Sequence, residues 1–395
     1  MTRPARATNP FPRHPIAVAA TLLMLFAPVA CSSTDPAVDV TSVTLPVTTT
    51  EQLQSVLDDA RAEFGFAGVI AGVWSPEGSW VGTSGTAGAD SDEPITPAHH
   101  TRIGSVTKTF TGTVLLQQVE QGTMSLDDPI EKYVPGLPNG TTATLRDLAQ
   151  MTSGIPSYTQ VEAWQYDYFT DVERVFTAEE LLAYVTGTPA LFPAGTRFDY
   201  SNSNTVALAL AIERATGRPF GEVLAEGVLE PLGLDGTSWP GTSPDIPTPF
   251  LSGQTEQGLP ENSVKDATLW NPSWTNAAGE MISTFDDLRV WGRALGTGDG
   301  ILSPGTQELR MGSFDENFSI EGNDATGTYG IGAGLLGGWV GHAGELPGYN
   351  TSVLYRRETD TTLVVVVNSD IVAPDGTNPA PTISKGIRAL LPDGD

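Results

Sequence analysis

Apolar residues recur at helical spacing near the start of the chain, at Leu53, Val56, Leu57 and Ala60, and predict an amphipathic helix beginning near Thr50. Two β-prone runs follow, 68–74 and 79–83, flanking Pro76-Glu-Gly78, and this spacing predicts a hairpin. A second helical period opens near Ser105 and continues through Val114, Leu115, Leu116 and Val119. Thr144, Thr177 and Thr284 each precede an acid by three positions and an apolar run, the signature of a capping box, so three more helices are expected there. Another helix should run from about Thr205 through Val206, Leu208 and Ile212, and stop at Gly217. Residues 236–276 are rich in Pro, Ser, Thr and Gly and predict long loops, with Trp270 and Trp274 as packing residues or cleft walls. Strand character returns in 334–340, 351–356 and 362–368, the last apolar enough to be central, and a final helix is expected over 382–391.

Strands at both ends and a helical middle predict an α/β (α+β) fold: one antiparallel sheet drawn from both ends of the chain, flanked by helices, plus a mostly helical insertion. The expected boundaries are a domain over 49–395, with its α/β part at about 49–115 and 278–391 and the insertion at about 116–277. A cleft between two such lobes is where a small-molecule site is expected.

Ahead of the domain, a basic segment, an apolar run over 16–30 and a small-residue site before Cys31 predict an export signal over 1–30. Val29-Ala30-Cys31 is similar to the end of a bacterial lipoprotein signal, with Pro28 where leucine is usual. Cys31 is the single cysteine in the chain and lies where lipidation needs it. Residues 31–48 then read as a solvated tether. The expected location is the outer face of a bacterial cytoplasmic membrane or envelope, reached through that lipid anchor.

Composition is that of a globular protein with a net charge of −27. Such a surface repels nucleic acid, which is excluded as a partner. No obligate protein partner is expected. The histidines His14, His99, His100 and His342 show no metal-ligand spacing, so neither metal nor cofactor is expected.

Three stretches carry candidate chemistry. Ser105 and Lys108 stand one turn apart at a helix start: a hydroxyl needing a proton acceptor, and an amine that loses its proton when buried. Free N–H groups at that start face any negative charge forming there. Tyr200, in the loop Phe198-Asp-Tyr-Ser-Asn-Ser203, becomes a base if a nearby ammonium lowers its pKa, and Asn202 offers an amide to orient a substrate. Gly341-His342-Ala343-Gly344-Glu345 lies at the edge of the late strands, where its glycines admit a close ligand.

Ser-x-x-Lys, Tyr-Ser-Asn and His-x-Gly in this order resemble the penicillin-recognising serine hydrolases, nearest the group of class C β-lactamases, serine D-alanyl-D-alanine carboxypeptidases and related esterases. The resemblance spans roughly residues 50–390 and includes the flanks 104–110, 151–155, 279–288 and 342–349. It implies a β-lactamase/transpeptidase-like fold. It also implies that Ser105 is acylated, Lys108 keeps the pair poised, and Tyr200 acts as general base and later protonates the leaving group. Asn202 would contact the acyl side chain, His342 would stand where many relatives carry lysine, and Ala343 and Gly344 would line the substrate. The implied oxyanion hole is the N–H of Ser105 with that of Glu345. Relatives that bind a substrate carboxylate usually carry Thr or Ser where this chain has Ala343, which points towards neutral esters or amides. The function implied is an exported acyl-serine hydrolase, carboxypeptidase-like or esterase-like, acting on envelope peptides or small esters and amides. A catalytically silent envelope-binding protein is the alternative, and a true β-lactamase a third.

Overall fold

The structure, a computed structural model, describes residues 44–260, 263–315, 319–321 and 326–392. The export signal, Cys31 and most of the expected tether lie outside the described residues. Residues 44–48 already belong to the domain: Leu45 is buried and takes a backbone bond to Ser79 O, and the first helix starts at Val47, where tether was expected.

That helix, α1 (Val47–Phe64), buries Leu53, Leu57, Ala60 and Phe64 on one stripe and ends at Gly65 in the left-handed region. The hairpin follows as β1 (Gly68–Ser75) and β2 (Gly78–Gly85). Helix α2 (Thr107–Glu120) is entered through a 3-10 turn at Gly104–Val106. Almost every α2 side chain up to Gln118 is buried, so it is a central helix rather than a surface one. In the mostly helical insertion, α3 (Asn202–Thr216) begins three residues before the expected Thr205 and ends at Gly217 as expected. The boxes at Thr144 and Thr177 are complete. At Thr284, which starts α4 (Phe285–Thr297), only half forms, because the Asp287 carboxylate accepts from Thr237 Oγ1 instead of reaching back. Trp274 packs against Trp164 and Tyr168.

The late strands are β3 (Ser319–Glu321), β4 (Thr326–Tyr329), β5 (Gly334–Leu336), β6 (Trp339–Leu346), β7 (Tyr349–Arg356) and β8 (Thr361–Val367), and the final helix is α5 (Pro379–Arg388). Together with the hairpin they make one antiparallel sheet of order β2-β1-β8-β7-β6-β5-β4-β3. The run 334–340, expected as a single strand, is broken by Gly337 and Gly338. Both have positive φ and close a two-residue hairpin in which Leu336 faces Trp339. His342 consequently sits within β6, at the point where its pairing with β5 has ended.

β8 is central and buried on both faces. Val364 and Val366 join the core shared with Phe285, Leu288 and Trp291, whereas Leu363, Val365 and Val367 join the one built on Leu53, Leu57, Ile383 and Ile387. The sheet is therefore sandwiched, with α1 and α5 on one side and α4, α2 and the insertion on the other. The α2–α4 contact is anchored by Phe110 stacked on Trp291 at 3.7 Å, with the indole N–H donating to Thr109 Oγ1 at 2.8 Å.

Trp291→Ala removes that stack and is expected to lower stability by about 3–5 kcal/mol in denaturant unfolding. Thr109→Val, which strands the indole N–H and removes the hydroxyl's bond to Val106 O, is expected to cost about 1–3 kcal/mol.

Candidate active site

Local backbone geometry places Ser105. Gly104 has φ +52°, a conformation that suits glycine, and turns the chain into the 3-10 turn that leads to α2. The β6 backbone lies directly against this turn. A Cβ on Gly344 would fall 1.9 Å from Ile103 O and 3.1 Å from Ser105 N, and a Cβ on Gly104 would fall 2.5 Å from Glu345 N. Two side-chain-free residues thus let the Ser105 and Glu345 amides come side by side. Those are the two donors expected to form an oxyanion hole.

Lys108, one turn into α2, is 1% exposed. Its Nζ lies 2.9 Å from Ser105 Oγ and donates to Ala278 O at 2.8 Å. Burial holds this amine well below the usual lysine range. The helix start adds to the effect, since its dipole disfavours a cation.

Tyr200 is delivered by a braced loop. Asp199 N bonds to Met151 O on one side, Asn202 N to Ser157 Oγ on the other, and Ser153 Oγ to Asn204 Oδ1 behind them. The Tyr200 ring centroid is 4.9 Å from Lys108 Nζ, and its hydroxyl bonds the Ser105 side chain. The expected lowering of the phenol's pKa is overturned. Burial raises it above its ordinary value, the bond to Ser105 opposes this only in part, and Glu345 raises it further. The physical reason is desolvation of the phenol itself, and the same burial drives Lys108 towards its neutral form, so it supplies little of the positive charge invoked to lower the phenol.

His342 stands beside this group, its ring 6.1 Å from that of Tyr200. Its Nδ1 bonds the Ala343 carbonyl and its Nε2 lies 3.1 Å from the Tyr329 hydroxyl. A carbonyl only accepts, so Nδ1 carries the hydrogen and Nε2 accepts from Tyr329. Burial pushes the imidazole down to about 3, the bond to Ala343 notwithstanding, so it is neutral at working pH.

Asn202 opens α3, half-buried, with its amide on Thr159 Oγ1. Ala343 is exposed on β6 and Gly344 is buried against Ser105. Glu345 accepts from Gln257 Nε2, which also donates to Asp370. Burial pushes the Asp370 carboxyl up to about 7, against the bonds from Gly348 and Thr255.

Ser105, Lys108, Tyr200 and His342 therefore converge from α2, the loop before α3, and β6. Tyr329 and the Ala278 carbonyl also hold this group and escaped sequence reading. Tyr329 lies on a four-residue strand too short to show a period, and a backbone carbonyl carries no residue signal. Among the described residues no cluster of His, Cys, Asp or Glu is arranged to hold a metal ion.

An activated serine beside paired backbone donors can form and release an acyl-enzyme, and proteins of similar architecture include amide hydrolases. A D-stereospecific amidohydrolase from Streptomyces sp. superposes with TM-score 0.75 at 31% identity, over 86% of this chain and 98% of that one. The D-amino acid amidase from Ochrobactrum anthropi SV3, solved with L-phenylalanine amide, gives TM-score 0.75 at 28% identity, over 87% and 97%. The putative penicillin-binding protein PbpX of Bacillus subtilis (strain 168) is 25% identical over 332 residues, 80% of this chain and 76% of its own. Residues 53–385 match the Beta-lactamase family from end to end of the folded domain, with the motif-bearing helix, loop and strand all inside the match, and the chain belongs to that family of serine hydrolases.

Proposed function

We propose that this protein hydrolyses amides or esters through an acyl-Ser105 intermediate, and that the group it expels carries no carboxylate. The observation that supports this is the convergence of Ser105, Lys108 and Tyr200 beside a strand whose exposed middle residue is Ala343. Two neighbours named as D-specific amide hydrolases favour amides of D-amino acids over a carboxypeptidase substrate. The basic, apolar and cysteine-terminated segment 1–31 supports export and lipid attachment.

The neutral Lys108 amine is the group with a free lone pair against Ser105 Oγ, so it takes the serine proton as Oγ bonds to the carbonyl carbon. The developing oxyanion lies at the Ser105 and Glu345 amides. Tyr200, still protonated, gives its proton to the departing nitrogen or oxygen and regains one from Lys108. A water entering at the vacated position then releases the acid by the reverse relay. His342 does not exchange protons near neutral pH; held by Tyr329 and Ala343, it shapes the side of the site where the leaving group departs.

Incubation with an alkyl fluorophosphonate is expected to label Ser105, with Ser105→Ala unlabelled, and a panel should show D-amino acid amides and short esters turned over faster than D-Ala-D-Ala peptides or nitrocefin. An unlabelled Ser105 would count against the whole reading, and a fluorescent penicillin adduct with rapid D-Ala-D-Ala turnover against the carboxylate-free leaving group. Gly344→Ala forces the β6 backbone off Ile103 and Ser105. It is expected to lower kcat about 10²- to 10³-fold, the loss typical of a missing oxyanion donor, with KM much less affected.

Lys108→Met is expected to lower kcat/KM about 10²- to 10⁴-fold, the usual share of a general base, while raising thermal stability. Between its lowered folded value and 10.5, its ordinary value, the unfolded chain binds a proton on Lys108 that the folded chain does not, so wild-type stability rises with pH across that window. Replacement by Met removes this slope, about 1.4 kcal/mol per pH unit, and unfolding midpoints measured from pH 6 to pH 9 check it.

A further inference from the structure

Pairing between β5 and β6 ends at Gly341, so from His342 onward β6 has no strand on that side among the described residues. A cavity of about 400 Å³ opens at this bare edge. Its catalytic end is formed by Tyr200 and His342. From there it continues past Ala343 towards the other face of the sheet, between β6, β7 and α5, where Leu336, Trp339, Leu354 and Pro381 make its walls predominantly apolar. Arg388 closes the far end, its Nε on the Ser384 carbonyl at 3.4 Å.

We propose that this cavity receives an extended apolar leaving group, an alkyl or aryl-alkyl amine or alcohol, and so sets the substrate class of the reaction proposed above, on which this inference rests. In acylation the Ser105 Oγ–C bond forms, the bond from the acyl carbon to the leaving nitrogen or oxygen breaks, and the leaving atom takes the Tyr200 proton while Lys108 holds that of Ser105. The leaving atom is therefore within hydrogen-bond reach of the Tyr200 hydroxyl, and whatever is attached to it points along the cavity of which Tyr200 is the mouth. The acyl part lies elsewhere: neither Ser105 nor Asn202 lines this cavity. Size and chemistry agree with the assignment. A cavity of about 150 Å³ takes up benzene, so this one holds a phenylalkyl group, and a leaving group as small as ammonia would leave it empty. Ala343, at the bend, has no hydroxyl to obstruct an alkyl chain.

The test is a series of esters sharing one small acyl group with leaving alcohols from methanol to octanol and phenylbutanol. kcat/KM is expected to rise about fourfold per methylene, the contribution of burying one, and then to level off. The deacylation rate, measured from the common acyl-enzyme, stays constant along the series. Ser352→Phe, which fills the cavity from β7, is expected to flatten the series, and Leu336→Ala, which widens it, to move the plateau to longer alcohols. As a readout without turnover, phenylbutanol should bind Ser105→Ala protein in saturation-transfer NMR, and Ser352→Phe should abolish that binding. A flat series on an enzyme whose Ser105 is still labelled by fluorophosphonate overturns the cavity assignment alone. A series that follows acyl length instead also overturns it, as does a length dependence that survives both variants. Absence of both turnover and label overturns this inference together with the reaction it rests on.

Discussion

Everything in the site hangs on how closely two backbones approach each other. The turn at Ile103–Ser105 and the β6 segment Gly344–Glu345 meet at distances that no side chain tolerates, and glycine at 104 and at 344 is what permits it. This contact does three things at once. It ties the central helix to the sheet, it puts two amide donors next to the nucleophile, and it brings the His342 side of β6 within ring contact of Tyr200. The rest of the architecture holds these two segments in place: α2 is clamped on α4 through Phe110 and Trp291, and β6 is fixed in register against β7, with Gly344 facing Thr351.

Burial then sets the chemistry. Lys108 lies under the helix start with a carbonyl and a hydroxyl as its polar partners, and among the described residues no carboxylate is placed to keep it charged. Burial drives an amine in that position towards its neutral, basic form, and so weakens the field that would have made Tyr200 an anion. The phenol stays protonated and serves as the acid for the leaving group, and the neutral imidazole of His342 follows from the same desolvation. One physical cause, exclusion of water from a small polar cluster, thus assigns all three protonation states.

The sheet, its central strand and the central helix were legible in the sequence because their patterns are determined locally. The stretch 363–367 is a run without polar interruption, as a strand covered on both faces requires, and Gly217 closes α3 as a C-terminal glycine should. Ser105, Lys108, Tyr200 and His342 were legible too, because each stands in a short motif whose residue types are chemically matched. What could not be read was whatever depends on three-dimensional proximity between unmarked residues. The Gly337-Gly338 turn that divides one β-prone run into two strands looks in sequence like ordinary strand-edge glycine. Tyr329 and the Ala278 carbonyl carry no motif. The direction of the Tyr200 shift needed the burial of Lys108, which a charge count along the chain treats as a cation.

Arginine placement bears on substrate choice in the same way. Arg310, the nearest arginine before His342 in the chain, is sealed between α2 and α4, with its guanidinium on Thr113 Oγ1 and Leu295 O. It serves packing and is withdrawn from the site. At the third motif, then, the wall of the site has an alanine methyl where a hydroxyl would bind an anion, and a Glu345 side chain close enough to raise the Tyr200 phenol. A carboxylate on the leaving group would meet that acid with neither hydroxyl nor Arg310 to offset it, whereas an alkyl or aryl group meets Ala343 and the apolar walls beyond. The same features that argue against an anionic leaving group make room for a hydrophobic one, so the missing hydroxyl is better understood as a change of specificity than as a loss of function.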